Sequence, residues 1–439
     1  MKGFVVLAFV AGFVLASGRA PRAVLEASFK ERIQEVLNGS ATSAAEHLAM
    51  RLDSKPGHLF AGYEVEFGKS GPDRHVQHVE WLHGCLDVVT SRDSIENCIL
   101  RQLQALTALC DLQGLRYNEQ VRKIAERHLV LLKEQKLALL GMNVQKVSGA
   151  SILVVQKQPA NSADVDASPA VQASALMALV RCGEAVGSKE HLNDAEAWFQ
   201  GLNMIYAESV WNKSFTTFHR AAITWESLAV TALHIPKHSS FRDQLEEYIR
   251  DFEAFLRQAW EAHVDFWSFS SARALAVRWS SKGLRKQQRK LLKRWAQEHV
   301  DRFLGRSGSG IKAGPEGVSE GILARIGGNR YTCGPLQGLA SLAGILKDAE
   351  LIQVVLQLME KDILRYQLSE SNPGPFRSAP PELFGAFFRD GEQMELEARQ
   401  SLRVDDTAMC LIAISHLIET LQSIRGVNVD VPSSEQGEL

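Results

Sequence analysis

The chain has 439 residues, 45% of them hydrophobic and 23% charged, which is the composition of an ordinary globular protein. Lys plus Arg is 49 and Asp plus Glu is 51, so the formal net charge is −2. That balance excludes a globally basic nucleic-acid binder, and the length suits two or three average domains or one large helical ring.

Residues 1–18 read as a secretory signal: Lys2 supplies the positive start, Phe4–Leu15 is uncharged and mostly apolar, and Ala16-Ser17-Gly18 offers small residues for cleavage. The run is shorter than the roughly 20 residues that span a bilayer. Cleavage would therefore leave a chain without a transmembrane span, expected in the secretory lumen or outside the cell. Residues 19–93 hold Val24–Leu37 and Ala44–Leu52 at helical spacing. Phe60–Phe67 follows, with Tyr63, Val65 and Phe67 on alternate positions, as in a short strand or an extended loop. His75–Val89 reads as a further helix. Asn38-Gly39-Ser40 and Asn212-Lys213-Ser214 are glycosylation acceptors in a eukaryotic lumen.

Over residues 94–425 two kinds of helical segment alternate. One kind is rich in Ala, Gly and Leu on every side: Asn97–Leu112, Val171–Ala185, Ala221–Leu233, Phe269–Val277 (the poorest), Leu336–Leu346 and Thr407–Leu421. The other is amphipathic and charged: Asn118–Leu140, Leu192–Tyr206, Arg242–Trp260, Lys282–Phe303 and Asp348–Tyr366. A helix apolar all round must be buried, and an amphipathic one covers it. Ile152–Val155 fits an extended segment, and Gln158–Pro169 a polar surface loop. After Thr407–Leu421 comes only the polar tail 426–439, so an N-terminal helix, Val24–Leu37 or His75–Val89, would supply its outer partner and close a ring. The fold class is all-α, helical hairpins closed into a ring with minor extended segments near the N-terminus. An open solenoid is the rival, but its repeats keep a fixed period of roughly 34 to 47 residues, and the spacing here is irregular.

Six inner helices with terminal closure resemble the (α/α)6 toroid, the fold of many glycoside hydrolases, polysaccharide lyases and sugar epimerases. The resemblance lies in architecture rather than in a diagnostic motif, and it implies a carbohydrate ligand. Parallel inner helices would gather their N-termini at one mouth. The polar and aromatic residues near those starts are Trp225 and Glu226, Asp265 and Trp267, Glu320 and Arg325, Arg330 and Tyr331, and Arg403, Asp405 and Asp406. Glycosidic chemistry needs one carboxyl as general acid and another as base or nucleophile. Asp405 or Asp406 with Glu226 or Glu320 would fill those roles. Arg403 and Arg330 would orient anionic groups through the planar guanidinium. Trp225, Trp267 and Tyr331 would stack on sugar rings. Against this stands ordinary capping, since an Asp at a helix start satisfies its free N–H groups. Arg403-Val404-Asp405-Asp406-Thr407, following Phe384-Gly385-Ala386-Phe387-Phe388-Arg389, is similar to the final hairpin of some toroid proteins.

No cofactor and no metal is expected. There is no GxGxxG after a strand, no Walker loop and no GxSxG elbow. His75, His78, His83 and Cys85 are the densest ligand-like cluster, but on a helix Cys85 would lie roughly 10 Å beyond His78. Lanthionine-synthetase-like toroids use a Cys-His zinc site, and no cysteine here is followed by His. Cys333, in Tyr331-Thr332-Cys333-Gly334-Pro335, is expected as a buried thiol or a disulfide half. The other five cysteines (Cys85, Cys98, Cys110, Cys182 and Cys410) suit an oxidising compartment. His219, His234 and His416 read as core or rim histidines. The basic run Lys282, Arg285, Lys286, Arg289, Lys290, Lys293 and Arg294, with Leu284, Leu291 and Trp295 at heptad-like spacing among it, reads as an amphipathic outer helix whose charged face is solvated; contact with anionic polysaccharide, nucleic acid or membrane headgroups is the alternative. The sequence thus points to a secreted toroid that acts on or binds carbohydrate, with no nucleic-acid partner. A non-catalytic secreted interaction protein is the alternative.

Overall fold

The computed structural model describes residues 27–53, 60–67, 76–83, 92–114, 142–147, 150–155, 165–166, 168–188, 191–208, 218–237, 239, 241–251, 285–303, 333–359, 364, 367–371, 381–387 and 399–423, with single positions at 119, 123 and 126. Helix α1 (Ala27–Asp53) precedes strands β1 (Phe60–Phe67) and β2 (Val76–His83) and helix α2 (Arg92–Gly114). Strands β3 (Met142–Val147), β4 (Ala150–Val155) and β5 (Val165–Asp166) lead to α3 (Pro169–Ala185), α4 (His191–Glu208) and α5 (Phe218–His234). Then come α6 (242–251), α7 (Lys286–Phe303), α8 (Cys333–Leu346), α9 (Ala349–Leu358), β6 (Arg399–Arg403) and α10 (Val404–Ser423).

The inner helices are those expected. Helix α3 buries every residue from Pro169 to Val180, and α5 every residue from Ile223 to Ala232. Their Ala, Ser and Gly content lets helices approach closely. Helix α3 stops cleanly because Gly187 takes φ +71°. Its N–H then reaches Glu184 O, and the Ser188 N–H reaches Gly183 O, so two terminal carbonyls are satisfied.

Packing runs from α8 to α10, then to α2, α3 and α5. Neighbours are parallel, because paired residues advance together. Cys333 is bonded to Cys410 at one level of α8 and α10, and lower down Ser341 Oγ meets His416 Nδ1 at 2.9 Å. Between α3 and α5, Ser174 meets Ser227 and Arg181 meets His234, with the same separation of 53 both times. Cys110–Cys182 likewise joins the C-terminal parts of α2 and α3. The two disulfides span 72 and 77 residues, and chain entropy alone gives each about 4 kcal/mol.

Closure is visible at both chain ends. The last inner helix, α10, packs on α2 and on α1. Of the two segments expected to close the ring, Val24–Leu37 does so, as part of one continuous helix that also takes in Ala44–Leu52. The helix expected over His75–Val89 is overturned at Val76–His83, which is strand β2, antiparallel to β1; β1 pairs on its other edge with β6. The sheet order β2-β1-β6 ties the first crossing of the chain to the last. A second sheet, β3-β4-β5, lies on the crossing into α3. Strand β6 runs straight into α10, so Arg403 ends a strand and the residue before the helix is Arg403 rather than an aspartate.

Outer helices present one apolar stripe. In α7 that stripe is Leu292 and Ala296; Leu291 is 42% exposed, so the heptad-like spacing expected through Leu291 marks the wrong face. The inner-to-outer connections 186–190, 235–241 and 347–348 are short. No helix among the described residues is long and apolar enough to cross a membrane. The expectations for residues 1–18, Phe269–Val277, Asn212 and 426–439 fall outside the described residues, as does most of Asn118–Leu140. Asn38 is half-buried within α1, and Ser40 of the same tripeptide is sealed against Gln367 by a 2.6 Å hydrogen bond.

Candidate functional site

The packed arc of described inner helices ends at α5 on one side and α8 on the other. Those two helices do not pack along their lengths. A hydrogen bond nevertheless joins them: Gln337 Nε2 of α8 donates to Glu226 Oε1 of α5 at 2.9 Å. It joins the two ends of the described arc, with Glu226 at the middle of its helix. Glu226 is 7% exposed and Gln337 7%. A carboxyl at such a position is stable only with hydrogen bonds, and the Gln337 amide supplies one while fixing the orientation of the group.

Around this pair the upper halves of the inner helices bury further polar groups. Gln102 lies on α2, Gln172 and Ser174 on α3, Thr224 and Ser227 on α5, and Thr407 on α10. The level is polar although each helix is otherwise apolar. Thr407 accepts a hydrogen bond from the Phe387 N–H at 3.2 Å, so this residue of the Arg403–Thr407 motif anchors the strand approach rather than facing the mouth.

The sequence-derived site residues separate into four groups. Glu226 lies at the middle of α5, buried and hydrogen-bonded to Gln337, rather than at a helix start. Trp225 is 1% exposed, and among the described residues its indole N–H has no hydrogen-bond partner. Its ring is enclosed in the core and offers no open face to a sugar, which corrects its reading as a stacking platform. The physical reason is helical: adjacent residues point about 100° apart, and only Glu226 of the two reaches Gln337. Asp405 and Asp406 occupy the second and third positions of α10, so neither is the N-cap. In the first turn their charge still complements the helix dipole. Asp265, Trp267, Glu320, Arg325, Arg330 and Tyr331 lie outside the described residues. Gln337 was not foreseen. Its signal was a lone amide in the otherwise apolar Leu336–Leu346.

Cys333 is a disulfide half, bonded to Cys410. Pro335 falls in the first turn of α8, where its missing N–H leaves no bond unmade. Among the described residues no group of three His, Cys, Asp or Glu side chains is placed to hold a metal.

At the opposite end, the C-termini of α2, α3 and α5 share a charged cluster. Arg181 binds the buried Asp111 carboxylate at 2.6 Å and donates to His234 Nε2 at 3.0 Å. His234 Nδ1 contacts Glu184. Burial opposes the Arg181 charge, but Asp111 outweighs it, with help from Glu419 and Glu184, and holds the guanidinium pKa above its ordinary value. This cluster stitches three helices together far from Glu226.

The five described inner helices define a parallel arc of an α/α toroid with a polar level across it. The structure is similar to that of endoglucanase CelQ from Clostridium thermocellum, solved in complex with cellotriose. The TM-score is 0.52 over 90% of this chain and 72% of that one, at 12% identity, a likeness that speaks to fold alone. No family pattern and no curated protein sequence matches the chain.

Proposed function

We propose that the chain binds and acts on a carbohydrate at the mouth of the toroid, with glycoside hydrolysis as the reaction class. One observation supports this reading: a buried carboxyl, Glu226, is held by Gln337 between the two ends of the described arc of inner helices, in a fold similar to that of a sugar-bound endoglucanase. Glu226 would act as the acid/base carboxyl. Asp405, Asp406 or Glu320 would supply the second carboxyl that glycosidic cleavage needs. Arg403, Arg330, Trp267 and Tyr331 would line the binding surface. The chain would meet its substrate in the secretory pathway or outside the cell.

The test is a panel of neutral and acidic oligosaccharides, with binding measured by calorimetry and cleavage by released reducing ends. Glu226→Gln keeps shape and hydrogen bonding, so its thermal stability should stay near that of the wild type. Binding should persist while turnover falls by about 100-fold or more, the loss expected for a general acid/base. Equal turnover in the variant would remove Glu226 from the chemistry. Binding without cleavage in the wild type would make the protein a glycan binder, and no binding to any member of the panel would reject the carbohydrate reading.

A further inference from the structure

Helix α7 exposes Arg285, Lys286, Arg289, Lys290, Lys293 and Arg294, and no Asp or Glu occurs between residues 285 and 297. The whole chain carries a net charge of −2, so this concentration does not reflect a basic protein. Its placement works against the helix. The first turn holds no acidic residue, and cations there oppose the positive end of the helix dipole. Arg285 with Arg289, Lys286 with Lys290, and Lys290 with Arg294 are like-charged pairs four residues apart, which also destabilise a helix. Arg289 donates to the Leu346 carbonyl at 2.9 Å, and Lys293 pairs with Asp348 at 2.7 Å, so these cations serve the fold. Arg285, Lys286 and Lys290 are exposed to water, and an anionic partner would relieve the repulsion along the stripe.

The position and chemistry narrow the partner. Leu346 ends the inner helix α8, so the basic stripe lies at the end of the toroid away from the mouth. Lys286, Lys290 and Arg294 follow one another at about 6 Å intervals along the axis, a row that a linear polyanion can track. A lipid surface is disfavoured, because the apolar face of α7, Leu292 and Ala296, is already buried in the fold at 0% and 2% exposure. An interfacial helix needs that face free.

We propose that the exposed face of α7 binds a linear acidic polysaccharide through its carboxylate or sulfate groups, and so anchors the protein on polymer without occupying the mouth. The choice of polysaccharide over nucleic acid rests on the carbohydrate reading above. Electrostatic contacts alone hold the polymer, so counterion release governs affinity.

The experiment uses the full chain with polygalacturonate and heparin as carboxylate and sulfate probes, beside duplex DNA and anionic phosphatidylglycerol vesicles. Wild type is compared with the double variant Lys286→Glu/Lys290→Glu and with Lys123→Glu/Lys237→Glu, which makes the same charge change at exposed lysines elsewhere. The wild type should bind one or both polysaccharides, with log Kd linear in log salt. The α7 variant should bind at least roughly ten-fold more weakly with a salt slope lower by about two, and the control variant should bind nearly as the wild type does. Absence of polysaccharide binding, equal weakening in both variants, or tighter capture by DNA or vesicles at matched charge would overturn the proposal. Neutral oligosaccharide binding and cleavage, measured on the same proteins, report on the mouth. They should be unchanged in the α7 variant, so loss of one activity is read separately from loss of the other.

Discussion

His234 shows how one residue's protonation is set by its neighbours. Arg181 donates to Nε2, which therefore accepts, so the neutral ring carries its proton on Nδ1 and gives it to Glu184. A second proton would have to enter at Nε2, displacing the Arg181 bond and setting two cations side by side. Burial first, then the Arg181 charge, holds the His234 pKa below its ordinary value; Glu184 and Asp111 pull the other way without prevailing. The folded state thus binds this proton less readily than the unfolded chain does. Stability from the neutral ring is complete above the ordinary His pKa of about 6.5 and is lost as pH falls below it. The expected outcome is a wild-type melting temperature that drops between about pH 7.5 and 5.5, and a smaller drop in His234→Gln, whose amide does not titrate. Melting curves at both pH values decide it, and equal drops would assign the pH dependence to other groups.

Among elements, the short segment Pro381–Phe387 shows where sequence reading reached its limit. Phe384-Gly385-Ala386-Phe387, similar in sequence to part of the final hairpin of some toroid proteins, straps α1 to α10. His47 Nδ1 lies 3.1 Å from the Phe384 carbonyl, Gln367 bridges Ser40 and Gly385, and Phe387 donates to Thr407. Gly385 has φ +87°, and a Cβ there would sit 2.1 Å from the Ser43 carbonyl oxygen, a backbone atom that cannot swing away. Gly385→Ala should therefore destabilise the protein by more than about 2 kcal/mol, combining positive-φ strain with overpacking. A urea midpoint within error of the wild type would mean that the strap can detach. The long apolar helices were legible because their burial is written in local composition. Strand β2 was not, because His75, His78, Val79 and Leu82 also satisfy helical spacing. The choice was made by a tertiary arrangement in which β2 pairs with β1, and β1 with β6 more than three hundred residues on. The Glu226–Gln337 contact was hidden for the same reason: Glu226 could be picked out on its helix, but the partner is fixed only when the ring is assembled.

At the scale of the whole molecule, closure makes the two ends of the chain one structural unit. Helix α10 buries Leu411, Ile412, Ile414, Leu417, Ile418 and Leu421 against α8, α2 and α1. Burying each such side chain is worth about 1.5–3 kcal/mol, so these six together rival the roughly 5–15 kcal/mol that holds a whole domain folded. Removing α10 would also uncover the faces it covers on α1 and α2, delete the Cys333–Cys410 bridge, and free β1 from β6 by removing the anchor of that strand. In an open array the damage would stop at the last repeat, because each unit contacts only its neighbours. In a ring it reaches residues 27–114, at the other end of the sequence. A chain ending at Arg403 is therefore expected to lose cooperative unfolding altogether, with helical circular dichroism far below a proportional loss and rapid proteolysis within α1 and α2. A truncated chain that keeps a sharp thermal transition, and whose α1 resists protease as in the intact protein, would show that α10 is a peripheral cap and that the ring does not depend on its closing helix.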